Sequence, residues 1–327
     1  MSTVVLSHAL YDPGMRLLEQ NGIDVVIPNN GNSDDILEDL QKADGFILRI
    51  GKIDRKAIEA CPDLKVITRP GVGVDNVDVQ AATEHGIPVV ICPAANSRSV
   101  AEHTIALMFA ASKNLIESDR ETRKGNFGIR NKYAAVELKD KTLAVLGFGH
   151  IGREVASMAA ALGMKVVAYD PFLDKQKVES MGYGHAGSLE EAVSAGDFVT
   201  LHMPSLPETK GMINKSVFSQ AKETAYFINC ARGDIVNEQD LYDALASGSI
   251  AGAAVDVLSL EPMEASSPLM RLDNFIVTPH MAGQTREATT TIVTMAVEGT
   301  LAVLKGEKWP HVCNPEVYGR QAWKDRQ

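Results

Sequence analysis

The chain has 327 residues, of which 45% are apolar and 23% charged, while glycine and proline together make up about 12%; that is ordinary globular composition with material for two cores. Thirty-two basic against 42 acidic residues leave a net charge of −10, the wrong sign for binding by phosphate neutralisation, so neither nucleic acid nor anionic membrane is expected as a partner. Cys61, Cys92, Cys230 and Cys313 are scattered without a C-x-x-C pair or a Cys/His metal spacing, which predicts reduced thiols, a cytoplasmic protein and no metal site. The N-terminus lacks the basic start and long apolar run of a signal peptide, and the longest uncharged apolar stretch, near 105–111, is far below the roughly 18 residues of a membrane span.

In chain order, short β-branched runs at 3–6, 25–27, 46–48, 66–68 and 89–91 alternate with amphipathic segments, the rhythm of parallel βα units. A long helical stretch over 97–124 follows. A second series of strands then falls at 143–146, 166–169, 198–201, 226–228, 253–255 and 275–277. The pattern predicts an α/β protein with two doubly wound, parallel-sheet domains. An Ala/Thr/Val-rich helix over 285–304 and a tail carrying Pro310 and Pro315 are expected to pack back on existing structure, with no third domain.

Gly147-Phe148-Gly149-His150-Ile151-Gly152 follows a strand and opens a helix expected over 153–162, the context of a dinucleotide fingerprint. Gly147 permits the tight turn, Gly149 lets the backbone approach a pyrophosphate, and Gly152 packs helix on strand. The pyrophosphate would sit on free N–H groups at the positive end of that helix. Asp170 ends the next strand, 18 residues beyond Gly152, where a carboxylate accepts from ribose hydroxyls. The earlier run Gly71-Val72-Gly73-Val74-Asp75-Asn76 has Asn76 where the fingerprint wants glycine. Its amides, at Val72 and Gly73, suit a smaller anion such as a carboxylate; a plain βα turn is the other reading. Arg49 and Arg69 fall at carboxyl ends of strands, where ligands collect, or are surface arginines in solvated ion pairs.

Three more loops follow strands of the second series, and each offers one functional side chain: Arg232, Glu261 and His280. Hydride transfer to a 2-keto acid needs a fixed cation for the carboxylate, a proton donor for the carbonyl oxygen, and a group that sets that donor's charge. Arginine, histidine and glutamate supply these in order.

At these residues the sequence resembles the NAD-dependent D-2-hydroxyacid dehydrogenase family, in the branch that contains the D-3-phosphoglycerate dehydrogenases. The resemblance spans nearly the whole chain and rests on 69–76, the fingerprint at 147–152, 230–236, 256–262 and Pro279-His280. It implies that Arg232 orients the substrate carboxylate and ketone, His280 protonates the carbonyl oxygen and Glu261 holds the imidazolium. It also implies that Asp256 lies near the nicotinamide carboxamide of NAD, and that the backbone at His150 and Ile151 contacts the pyrophosphate. The implied layout is a flavodoxin-like substrate domain, 1–95, with a Rossmann nucleotide domain, 96–285, inserted before a helix and tail, 286–327, that return to the first. Catalysis would take place in the cleft, and a homodimer would form through the long helix after Asn96. Two residues depart from the family pattern: Leu258 stands at a commonly aromatic position, which could reshape the pocket, and Asn237 replaces an acid. Only 47 residues follow His280, so no regulatory extension is expected.

The expected activity is NAD-dependent interconversion of a D-2-hydroxy acid and its 2-keto acid. Arg49 and Arg69 match family positions that face a substrate phosphate, which favours a second anionic group, phosphate or sulfonate. Reduction of glyoxylate, hydroxypyruvate or another small 2-keto acid is the alternative. Formate dehydrogenases share the architecture but resemble a Gln–His pair, which Glu261 argues against. An NAD-sensing corepressor that binds peptides on its surface is the reading from another class.

Overall fold

The computed structural model describes residues 2–28, 32–132 and 134–326. The chain divides into two compact units, 1–96 with 284–327, and 97–283. The divisions fall at 96/97 and 283/284, where the sequence places them at 95/96 and 285/286.

The first unit contains five parallel strands: β1 (Thr3–Leu6), β2 (Asp24–Val26), β3 (Gly45–Ile47), β4 (Val66–Thr68) and β5 (Val89–Val90). Their order, β2-β1-β3-β4-β5, is that of a flavodoxin-like sheet. β3, β4 and β5 are buried at every residue, as parallel strands covered on both faces must be, which is why they read as unbroken apolar runs. One cover is the helix Arg286–Leu304, capped by the Thr285 hydroxyl, which accepts from the Ala288 N–H. Its Val293, Val297 and Leu301 pack against Val4, Leu6 and Ile47. Thr300 bonds Thr68 at 2.7 Å in the core. The tail is held by Asn314, fully buried, which accepts from the Val89 N–H and donates to Ile87 O and Thr83 Oγ1.

The second unit holds β6 (Thr142–Leu146), β7 (Lys165–Tyr169), β8 (Gly184–His185), β9 (Phe198–Leu201), β10 (Tyr226–Asn229), β11 (Gly252–Val255) and β12 (Phe275–Val277). All pairs are parallel, in the order β12-β11-β10-β9-β6-β7-β8. This is the doubly wound dinucleotide arrangement with one strand added, and its order reverses between β6 and β9.

The single helix expected over 97–124 is two, Ser97–Ser112 and Leu115–Arg123. The break is at Asn114, whose φ of 50° is left-handed, a conformation that asparagine tolerates better than most residues. The helix after the fingerprint starts at His150, earlier than the expected 153, because Gly149 is already its N-cap.

Candidate active site

Gly147, Phe148 and Gly149 leave the end of β6 and enter the helix His150–Ala161. Gly147 has φ 92°, and a Cβ there would meet the His202 carbonyl carbon at 2.7 Å; a Cβ on Gly152 would meet Gly147 O at 2.2 Å. Both positions therefore require glycine. A Cβ on Gly149 meets nothing within 4 Å among the described residues, and Gly149 caps the helix without a side chain. The first turn of a twelve-residue helix thus points N–H groups and its positive end toward open space, the fit that a pyrophosphate needs. Asp170, one residue past β7, accepts from the Phe148 N–H through Oδ2 at 2.9 Å and from the Phe172 N–H through Oδ1 at 3.0 Å. Each oxygen keeps a second lone pair of the kind that a ribose hydroxyl uses.

Arg232, Glu261 and His280 follow β10, β11 and β12, which are neighbours in the sheet, so their loops leave the same edge side by side. The Arg232 loop is folded by buried Asn229, whose Oδ1 accepts from Ala231 N and whose Nδ2 donates to Arg232 O, each at 2.9 Å. Next to it a Cβ on Gly233 would lie 2.0 Å from the Leu258 carbonyl carbon, so only glycine lets the β10 and β11 loops touch. The β11 loop is tied down by Ser259, whose N–H and hydroxyl both donate to Glu238 Oε1. At its end Glu261 Oε2 meets His280 Nδ1 at 2.7 Å, and Oε1 accepts from the Leu258 N–H at 3.3 Å. His280 itself has φ 51°, a left-handed conformation that costs a side-chain residue about 1–3 kcal/mol and persists only when its surroundings impose it.

Those surroundings are Asp256, which is 1% exposed. Its carboxylate accepts from the Thr278 hydroxyl at 2.5 Å and from the N–H groups of Met281 and Ala282 at 3.0 and 2.8 Å, and its backbone carbonyl accepts from the His280 N–H at 2.8 Å. The residue expected beside the nicotinamide is therefore seated inward, under the turn that carries His280. His103, from the helix Ser97–Ser112, reaches the same cluster with Nε2 3.0 Å from Thr278 Oγ1. Sequence reasoning assigns no role to His103 or Thr278, because their contact spans 175 positions and leaves no local signature. Leu258, expected to reshape the pocket, packs in the core at 7% exposure, and Asn237 caps the helix Glu238–Ala246 through its side chain.

In the first unit, the Ser7 hydroxyl accepts from the N–H groups of Arg49 and Ile50 at 2.8 and 3.3 Å, and the Arg49 guanidinium lies 5.3 Å over the exposed Tyr11 ring. Arg69 Nε donates to Asn76 Oδ1 at 3.2 Å, while Asn76 Nδ2 donates to Gly51 O at 2.7 Å. The asparagine that breaks the glycine pattern is thus a brace between the Arg69 loop and the loop after Arg49. Val72 is exposed and Gly73 half-buried on the same turn.

Burial pushes the thiols of Cys61, Cys92 and Cys313 up to about 11 and that of Cys230 to about 12, so they stay protonated and serve as packing. Among the described residues no cluster of His, Cys, Asp and Glu could hold a metal ion, and no helix is long and apolar enough to cross a membrane.

Residues 105–282 match the family described as D-isomer specific 2-hydroxyacid dehydrogenase, NAD binding domain. The chain is 40% identical over 315 residues to a D-3-phosphoglycerate dehydrogenase of Methanocaldococcus jannaschii, covering 96% of this chain and 60% of that protein. It spans about half to three-fifths of the length of the curated relatives it matches. The solved structure of TT0316 protein from Thermus thermophilus superposes with a TM-score of 0.87 at 31% identity, over 95% of this chain and 99% of that one. An NAD-dependent formate dehydrogenase from Staphylococcus aureus, in complex with NAD, gives 0.82 at 31% identity over 94% and 97%.

Proposed function

The chain belongs to the D-isomer specific 2-hydroxyacid dehydrogenase family, and from that premise we propose that it interconverts a D-2-hydroxy acid and its 2-keto acid with NAD. The observation that carries this reading is the carboxylate-backed imidazole, Glu261 Oε2 to His280 Nδ1 at 2.7 Å, at the carboxyl edge of a dinucleotide-binding sheet. With Nδ1 tied to a carboxylate, Nε2 is the nitrogen that exchanges a proton with the substrate oxygen.

The fingerprint glycines, the amides at His150 and Ile151, and Asp170 would hold the dinucleotide, which when bound supplies the hydride for the carbonyl carbon or accepts it in reverse. Arg232 grips the substrate carboxylate with its planar fork. In reduction His280 delivers a proton to the carbonyl oxygen as that oxygen gains negative charge, and Glu261 keeps the ring oriented and its charge compensated. In oxidation His280 takes the same proton back. Formate oxidation moves no proton at a substrate oxygen, so a Glu–His pair would have no task there.

Arg49 and Arg69, with the Val72-Gly73 turn, are proposed as the contacts for a second anionic group, phosphate or sulfonate. The first unit is the proposed substrate domain and the second the nucleotide domain. A cytoplasmic homodimer that uses the helices after Asn96 completes the proposal. A panel of 2-keto acids assayed with NADH tests it. Turnover of a doubly anionic keto acid, lost in His280→Gln while NADH still binds, is the expected result. Full turnover in His280→Gln would overturn the acid–base assignment, and a parent protein that binds NADH but reduces no 2-keto acid of the panel would favour a nucleotide-sensing binding protein.

A further inference from the structure

The turn that presents His280 belongs to no helix or strand, and its left-handed φ of 51° needs an external constraint. That constraint is a chain of hydrogen bonds whose proton count can be closed. A carboxylate only accepts, so the one hydroxyl proton of Thr278 goes to Asp256 Oδ1, 2.5 Å away. The contact between Thr278 Oγ1 and His103 Nε2, 3.0 Å, then requires an N–H on the imidazole, which donates into the hydroxyl. His103 Nε2 also lies 3.6 Å from Asp256 Oδ1. The helix that delivers His103 is anchored by packing: Ala101, Leu107 and Met108 are buried in one core with Val155 and Ala159. The His103 side chain is 19% exposed.

We infer that His103, acting through Thr278 and Asp256, is a positioning residue that holds the turn on which His280 is presented. The inference rests on the reading of His280 as the acid–base group. His103 acts through its contacts with Thr278 and Asp256 and not on a reacting atom. It fixes the donor direction at Thr278, which fixes the carboxylate, which holds the N–H groups of Met281 and Ala282 that follow the histidine. Because an error of about 1 Å at a reacting group costs on the order of 100-fold in rate, a loosened turn reads out in turnover.

Turnover with a 2-keto acid and NADH, NADH binding and thermal unfolding are to be measured for H103Q, H103N and H103L. A glutamine side chain places an N–H near the reach of the imidazole Nε2, whereas asparagine stops near Nδ1. The expected result is that H103L and H103N lose about tenfold or more in kcat with NADH affinity within about twofold of the parent, and that H103Q recovers at least about a third of the parent kcat. Thr278→Ser and Thr278→Val repeat the test at the hydroxyl, serine keeping turnover and valine losing it, and they decide the matter where a His103 variant does not fold. Parental kcat in H103L and Thr278→Val, or an equal fall in H103Q and H103L, overturns the inference. His280→Gln in the same assay separates the two levels. If it is inactive while H103L and Thr278→Val are unaffected, only the positioning role fails; if it is fully active, the acid–base reading fails and the positioning role with it.

Discussion

Arg232 illustrates how little of a site is charge alone. Its loop is braced at two points by Asn229, so a guanidinium is held on a fixed stem, and Arg232→Lys keeps the charge while losing the two parallel bonds that a carboxylate accepts from a planar fork. Activity of the folded variant should fall on the order of 100-fold in kcat/KM, and retention of more than about half would remove Arg232 from the site. At Asp170 both oxygens already hold one backbone N–H each, so the carboxylate is fixed and would face a 2′-phosphate with like charge. NADH should therefore exceed NADPH by about 100-fold or more in kcat/KM, and comparable values for the two cofactors would contradict that role. His202, which follows β9, bonds Thr200 through Nε2 and has Nδ1 shut away without a partner among the described residues, and burial pushes its imidazole down to about 3. The folded ring stays neutral where an unfolded one protonates near 6.5, so the unfolded chain binds the extra proton below that pH. The stability this residue contributes is whole above about pH 6.5 and falls as pH drops toward 3, by about 1.5 kcal/mol between 6.5 and 5. Urea denaturation at the two pH values should show that component in the parent and not in His202→Gln; equal slopes would refute it.

At the scale of elements, strands were legible where each is a continuous apolar run bounded by turn residues, as in Val66–Thr68 and Phe198–Leu201. β8 was not, because Gly184 and His185 carry no strand signal and pair only as an edge to β7. The break at Asn114 was hidden because Leu115 and Ile116 continue the apolar pattern across it. The candidate site was legible as residue types after successive strands, since parallel topology gathers strand ends automatically. What holds those residues was not: the His103–Thr278 contact and the Asn76 brace join segments that only the folded chain brings together. Two glycines separate the roles of the loops. Gly233→Ala would drive a Cβ to 2.0 Å from backbone, forcing the β10 and β11 loops apart, so both the melting temperature and kcat should fall, with about 1–3 kcal/mol or more of stability lost. Gly149→Ala meets nothing within 4 Å among the described residues, so the melting temperature should hold while NADH binding weakens as the methyl crowds the pyrophosphate. Intact NADH binding in folded Gly149→Ala would count against the loop as the cofactor cradle.

For the whole molecule, the order of the chain decides which part can stand alone. The second unit is one continuous segment, 97–283, whereas the first is assembled from both ends, 1–96 and 284–327. Removing 284–327 strips Val293, Val297 and Leu301 from Val4, Leu6 and Ile47, and takes away the Thr300 and Asn314 hydrogen bonds. Each of those three aliphatic side chains is worth about 1.5–3 kcal/mol when fully buried, so their loss alone comes to roughly 5–9 kcal/mol, comparable to the roughly 5–15 kcal/mol that stabilises a whole domain. The fragment 1–96 should therefore remain unfolded by circular dichroism and proteolysis, and should fold only when 284–327 is supplied, in trans or by direct fusion. The fragment 97–283 keeps its sheet, both of its cores, the fingerprint and Asp170. It should fold cooperatively and bind NADH, measured by quenching or calorimetry, yet turn over no keto acid if substrate contacts come from Arg49 and Arg69. A fragment 97–283 that folds and reduces a keto acid at the parental rate would show that those two arginines have no part in the reaction, and the second anionic group would leave the substrate proposal with them.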